Sequence, residues 1–242
     1  MALAKSNAAE LEAFTKDYGV YNLPYLFADK AQYHKVMESA VGQSILESSR
    51  DSGFIGIAYL DAGARSFYAK KPINTPDDLK GLKVRVQPSP TAVNMVKALG
   101  GNPTPLAYGE LYTALQQDVV DAAENNIPSY TLSRHSEVTK FFSEDEHTMV
   151  PDVLVISTKV WDSLSEKEQQ ALKTAADEAT LKMRGLWEVS ENKEREAAIQ
   201  QGVTFVEVDK APFKKAVEPM YTDLEKNEPV LYKLVEEIRK VQ

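Results

Sequence analysis

The sequence predicts an α/β protein, on three observations. Between Leu79 and Asn126, segments of strand period and helix period alternate. Two further apolar runs, Phe54–Leu60 and residues 152–158, read as buried strands. From Ser165 one helical pattern persists to about Gln200, a length that suits an element spanning two lobes. With 242 residues, 43% of them hydrophobic, the chain can fill a core in one or two domains.

The elements follow in order. Met1-Ala2-Leu3-Ala4 reads as the tail of a strand entering a helix over 7–14, capped near Ser6 or Asn7. Residues 20–27 are apolar and extended, because Pro24 bars a regular helix. Asp29 and Gln32 resemble a capping box. Tyr33, Val36, Met37, Ala40, Val41 and Ile45 then predict one helical face to about residue 49. Phe54–Leu60 is a strand, and Gly53 and Gly56 fit crowded packing there. Asn74-Thr75-Pro76-Asp77-Asp78 starts a short helix, with acids placed to suit its dipole.

The central run is read most fully. Leu82, Val84 and Val86 alternate with Lys83, Arg85 and Gln87, the pattern of a strand. Ser89 offers an N-cap hydroxyl, and Pro90 stands where a missing N–H costs nothing. Val93, Met95, Val96 and Leu99 face one way on the helix that follows, and Gly100-Gly101 ends it. A short extended piece at 104–107, a helix over 109–117 and a strand from Val119 to Asn125-Asn126 complete a βαβαβ unit, which predicts a parallel sheet. Phe141 to His147, FFSEDEH, reads as a loop with a solvated acidic face. Ser165 and Glu168 form a capping box for the long helix. A strand over 203–208 and helices from near Asp209 and Pro229 close the chain, the first kinked at Pro219.

Composition excludes several functions. A net charge of −8 argues against nucleic acid, which needs clustered Lys and Arg. With no cysteine there are no disulfides, thiolate metal sites or cysteine nucleophiles. His34, His135 and His147 lack the spacing of metal ligands, and no metal or cofactor is expected. No phosphate loop or nucleophile elbow occurs.

Two arginines stand in strand-like settings. Arg85 sits among valines, near the strand end and helix start where open α/β sheets bind ligands. A guanidinium there matches a carboxylate by two parallel hydrogen bonds. Pairing with an internal acid, or a place on a sheet edge, explains it equally well. Arg65, in Arg65-Ser66-Phe67-Tyr68, reads either as an exposed edge residue or as a second ligand contact.

The stretches LKGLKVRV, ALGGNPTPL, GELYTALQQDVVDAAEN and, upstream, NLPYLF occur in this order. Together they resemble the solute-binding proteins of TRAP transporters, the tripartite ATP-independent periplasmic carriers. The resemblance implies a two-lobed periplasmic-binding-protein-like fold with interleaved lobes and a long spanning helix. The first lobe is expected from residues 1–62 and 151–190, the second from 63–150 and 191–242. In the family roughly a quarter of the chain precedes the residue matching Met1, including an export signal and the first strands, so a fold lacking those strands is expected.

The family's carboxylate-clamping arginine matches Arg85. Some members carry a second ligand-contacting arginine at the position of Arg65. Asn125 matches a ligand-binding asparagine, although Glu124-Asn125-Asn126-Ile127-Pro128 delays the family's proline by two and leaves either asparagine to face the pocket. Tyr108 matches an aromatic that packs on the ligand. Phe67, Gln87 and Asn7 complete the candidate ligand-binding set.

The resemblance implies a periplasmic, monomeric, non-enzymatic receptor. It would bind a carboxylate-bearing small molecule and deliver it to TRAP membrane subunits. Arg-Ser-Phe-Tyr beside the polar Gln87 and Ser89 favours a hydroxylated acid, a sugar acid such as a uronate or aldonate, with dicarboxylates, 2-oxo acids and sulfonates open. The competing readings are a sugar-acid-modifying enzyme on an α/β fold, which turnover would reveal, and a sensory ligand-binding module, which neighbouring genes would distinguish.

Overall fold

The period-two runs assemble into two separate sheets in the computed structural model, which describes residues 2–242. In chain order the elements are β1 (Leu3–Asn7), α1 (Ala8–Leu11), α2 (Lys30–Glu38), α3 (Ala40–Glu47), β2 (Phe54–Leu60), β3 (Arg65–Ala69), β4 (Lys83–Val86), α4 (Pro90–Ala98), β5 (Asn102–Pro105), α5 (Leu111–Gln116), β6 (Ala122–Asn125), α6 (Ile127–Leu132), α7 (His135–Val138), β7 (Phe141–Thr148), β8 (Asp152–Ser157), α8 (Thr158–Trp161), α9 (Glu166–Gln200), β9 (Thr204–Val206), α10 (Ala211–Asn227) and α11 (Pro229–Lys240).

The smaller sheet has the order β1-β8-β2, all antiparallel. Gly56 in β2 permits its close packing, since a Cβ there would lie 2.4 Å from Leu46 Cδ2. Around this sheet Tyr18, Tyr21, Val36, Ile45, Tyr59 and Val153 share one core, with α11 contributing Val235 and Ile238. The larger sheet has the order β5-β4-β6-β3-β7-β9. Here β4 runs parallel to β5 and β6, as the βαβαβ reading predicts. The sheet as a whole is mixed, because β3 crosses from the other sheet and runs antiparallel to both β6 and β7.

The long helix ties the two cores together. Its 35 residues span roughly 50 Å at 1.5 Å per residue. Ala176 packs with Ile55, Ile57 and Trp161 beside the small sheet, while Ala198 packs with Tyr68, Tyr130 and Phe142 beside the large one. The capping box forms: the Ser165 hydroxyl accepts from the Glu168 N–H, and the Glu168 carboxylate accepts from the Ser165 N–H.

Other expectations are corrected. Residues 20–27 are not extended throughout, for Lys16–Asn22 forms a 3-10 turn ahead of Pro24. The single helix expected to residue 49 is two. Ser39 is extended, donates to the Val36 carbonyl and accepts from the Gly42 N–H, so it ends α2 and caps α3. Helix α1 is one turn, shorter than 7–14. FFSEDEH is not a loop but lies within strand β7, hydrogen-bonded to β3 and β9, with Asp145 and His147 fully buried. Helix α11 packs in the small-sheet core. Pro219 stands inside α10. Among the described residues, no helix is long and apolar enough to cross a membrane.

Candidate functional site

Strand β4 carries Arg85 into the middle of the large sheet, opposite Thr104 on β5 and Ala123 on β6. Only 1% of the residue is exposed. Its Nε and Nη2 donate to the Leu106 carbonyl at 3.0 and 2.8 Å, and its Cζ lies 5.8 Å from the Tyr108 ring centroid. Its Nη1 is buried and has no hydrogen-bond partner among the described residues. No carboxylate pairs with it there, so the internal salt bridge offered as one explanation of Arg85 does not form. A buried guanidinium facing only a carbonyl and a ring is a costly arrangement that an incoming anion would relieve.

Arg65 differs. It is buried in the interior strand β3, not exposed on an edge. Glu124 holds it by two parallel bonds, Nε to Oε2 at 2.6 Å and Nη2 to Oε1 at 3.0 Å. Nη2 also donates to the Glu124 carbonyl, and Nη1 donates to Asn125 Oδ1 at 2.8 Å. Each guanidinium nitrogen of Arg65 therefore already has a protein acceptor.

Behind Glu124 stands His147, with none of its side chain exposed. Its Nδ1 is 2.8 Å from Asp145 Oδ2, and its Nε2 is 3.4 Å from Glu124 Oε2. Burial opposes the imidazolium, but Asp145 and Glu124 outweigh it and push the pKa up to about 9. Burial likewise opposes ionisation of Glu124, yet Arg65 and His147 hold its pKa down at about 2. Asp145 also accepts the Phe67 N–H, so the sheet backbone helps to fix the chain of charges.

The asparagines divide their work. Asn126 Oδ1 accepts from the Ser129 N–H, capping α6, and its Nδ2 donates to the Ala62 carbonyl. Asn125 lies against Arg65 instead, and its Oδ1 accepts from Arg65 and from the Asn126 N–H. Tyr108 keeps 41% of its surface exposed, and its hydroxyl is 2.6 Å from Ser133 Oγ. His135 meets the Tyr68 hydroxyl at 2.9 Å, and burial together with Arg85 pushes its pKa down to about 4, so it is neutral.

The remaining candidates fall elsewhere. Phe67 is wholly buried in the core and packs on His147 with centroids 4.4 Å apart, so it backs the charges and does not line a cleft. Gln87 and Asn7 meet each other: Gln87 Nε2 donates to Asn7 Oδ1 at 3.1 Å, linking the end of β4 to β1. Asn7 also caps α1 and donates to Asp152. Sequence reasoning passed over Glu124, Asp145 and His147. Alternate positions 145 and 147 point to one face of a strand, which is the signal that FFSEDEH offered.

Two hollows lie away from this chemistry. One of about 900 Å³ is lined by Glu12, Phe14, Thr91, Asn94, Met220 and Leu231, and one of about 410 Å³ by Met37, Tyr59, Thr180 and Arg184. Neither holds a buried polar group lacking a partner, so the orphaned Arg85 nitrogen is the better marker of a binding site. Among the described residues no cluster of His, Asp and Glu is arranged to hold a metal ion.

The family model for bacterial extracellular solute-binding protein family 7 matches residues 1–227. An uncharacterized protein of Salmonella typhimurium is 41% identical over 241 residues, covering 98% of this chain and 73% of that protein. A TRAP periplasmic solute-binding protein of Xanthobacter autotrophicus, solved with bound β-D-galacturonate, superposes with a TM-score of 0.95 at 40% identity, over 100% of this chain and 81% of that one. One of Chromohalobacter salexigens, with bound D-glucuronate, gives 0.96 at 35% identity over 100% and 81%.

Proposed function

The chain belongs to family 7 of the bacterial extracellular solute-binding proteins, the TRAP type, and from this premise we propose how it receives its ligand. The ligand is a sugar acid, a uronate in the first place, bound between two lobes. Its carboxylate pairs with Arg85, whose buried and unpartnered Nη1 is the observation that carries this reading. Asn125 orients the hydroxylated end, and Tyr108 packs on the ring. Arg65 holds Asn125 in place, with its own donors engaged by Glu124 and Asn125.

The lobes are residues 1–62 with 151–190, and 63–150 with 191–242, the final helix α11 seated on the first lobe. They close by bending at the crossover 61–64. The receptor works in the periplasm as a monomer and hands its ligand to the TRAP membrane subunits. Relatives of this fold solved with galacturonate and glucuronate support the ligand class.

Calorimetry and thermal shift test the reading, with D-glucuronate, D-galacturonate, D-gluconate, succinate, pyruvate and an alkyl sulfonate as ligands. At a hundredfold excess over Kd the true ligand adds about 2.7 kcal/mol to stability. A selective shift with sugar acids, abolished in Arg85→Ala, is expected. Indifference to every sugar acid, or full binding by Arg85→Ala, sinks the assignment.

A further inference from the structure

Four linked ionisable side chains lie behind the sugar-acid site and Arg85 makes a fifth in it, and their charges are unequal in number. Arg65 on β3 faces Glu124 on β6, and His147 on β7 lies between Glu124 and Asp145. Arg85 on β4 stands apart, with Leu106 and Tyr108 as its neighbours. Both nitrogens of His147 approach carboxylate oxygens, a geometry in which both must donate and the ring must be cationic. Arg65 and His147 thus cancel Glu124 and Asp145. Of the other titratable groups packed here, Tyr68 on β3, Tyr25, whose hydroxyl donates to the Asp145 carbonyl, and His135 on α7 are neutral, for burial raises both tyrosine pKa values well above the usual value and lowers that of His135. One positive charge, that of Arg85, is left over.

We infer that the site admits a single negative charge, and that Glu124, by neutralising Arg65, selects monocarboxylates over dicarboxylates of the same sugar skeleton. This rests on the reading that Arg85 receives a sugar acid. Two arginines 20 positions apart look on paper like a clamp for two carboxylates. The bidentate Glu124 occupies the second arginine with the protein's own acid. A ligand's second carboxylate would meet a neutralised guanidinium with a buried carboxylate behind it, and like charges repel strongly where water is excluded. Such a ligand enters only if its second carboxyl takes up a proton. Glu124 is a positioning residue: its carboxylate touches Arg65 and His147, not the ligand, and acts through the charge and aim of Arg65.

D-Glucuronate and D-glucarate are the probes, one and two carboxylates on a hydroxylated six-carbon chain, measured by calorimetry on the full chain. Glucarate is expected to bind at least tenfold more weakly at neutral pH. Its affinity should rise about tenfold per pH unit lowered between about pH 8 and 5, while glucuronate affinity stays flat, because Glu124, His135 and His147 titrate outside that window. In Glu124→Gln the glucarate-to-glucuronate Kd ratio should fall at least tenfold. If that variant does not melt cooperatively, the pH slope of the wild type decides alone. Equal affinity for both acids with no pH slope overturns the inference, as does an unchanged ratio in a folded Glu124→Gln. If glucuronate itself fails to bind, the functional reading fails first and takes this inference with it.

Discussion

Replacing each arginine by methionine should separate two guanidiniums that look alike in sequence. Arg65→Met removes the cation from a bidentate pair in which both side chains are almost fully buried. Glu124 is then left as a buried anion with only His147 beside it, and Asn125 Oδ1 loses one of its two donors. Breaking a buried pair from one side typically costs about 3–5 kcal/mol. In Arg85→Met the balance differs. Two charge-assisted bonds to the Leu106 carbonyl are lost, about 1.5–3 kcal/mol each at most and less when both share one acceptor, but the uncompensated burial of a cation, several kcal/mol, is relieved. The net change should lie within about 1 kcal/mol of zero. Urea unfolding of ligand-free protein reads both values. At about 2–4 °C per kcal/mol for a chain of this size, Arg65→Met should melt roughly 10 °C early, while Arg85→Met melts near wild type yet loses the ligand-induced shift. Equal destabilisation by the two variants would refute the reasoning, for it would mean Arg85 has an internal partner after all.

Three further outcomes are expected. The pKa of His147 is raised on folding, so its contribution is full below the unfolded value near 6.5 and is lost as pH climbs through about 9. The free energy of unfolding, read from urea curves, should therefore fall between those limits by up to about 3 kcal/mol, and His147→Gln should flatten the decline. Gly63 has φ of 65°, and a Cβ there would lie 2.4 Å from Glu191 Oε1 and 2.6 Å from Trp187 Nε1. Gly63→Ala should cost about 1–3 kcal/mol in thermal unfolding and weaken ligand binding through the crossover, and an unchanged melt would contradict the strain argued there. Ser165→Ala removes one half of the capping box of α9 and should lower stability by about 1 kcal/mol in urea, with ligand affinity unaltered.

Local features were legible because their causes are local. The strand around Arg85, the Ser89 cap with Pro90 at the first helical position, and the capping box at Ser165 each depend on residues within four positions of one another. Arg85 could be singled out from sequence because a cation amid alternating valines contradicts its surroundings.

The tertiary structure alone decided which charges meet. Arg65 and Glu124 are 59 residues apart, and Glu124 and His147 are 23 apart. No periodicity announces that β6 will lie between β4 and β3, or that β7 will close over the other side of β3. The acidic composition of FFSEDEH speaks for solvent, and only cross-strand partners make its burial tolerable. Phe67 shows the same dependence: on paper an aromatic beside an arginine suits a pocket wall, but its strand is flanked on both edges and its ring turns into the core. Residue types determined that this protein could hold a carboxylate. Sheet order determined that one arginine is already answered by an internal acid, and that the other keeps a buried nitrogen with no partner among the described residues.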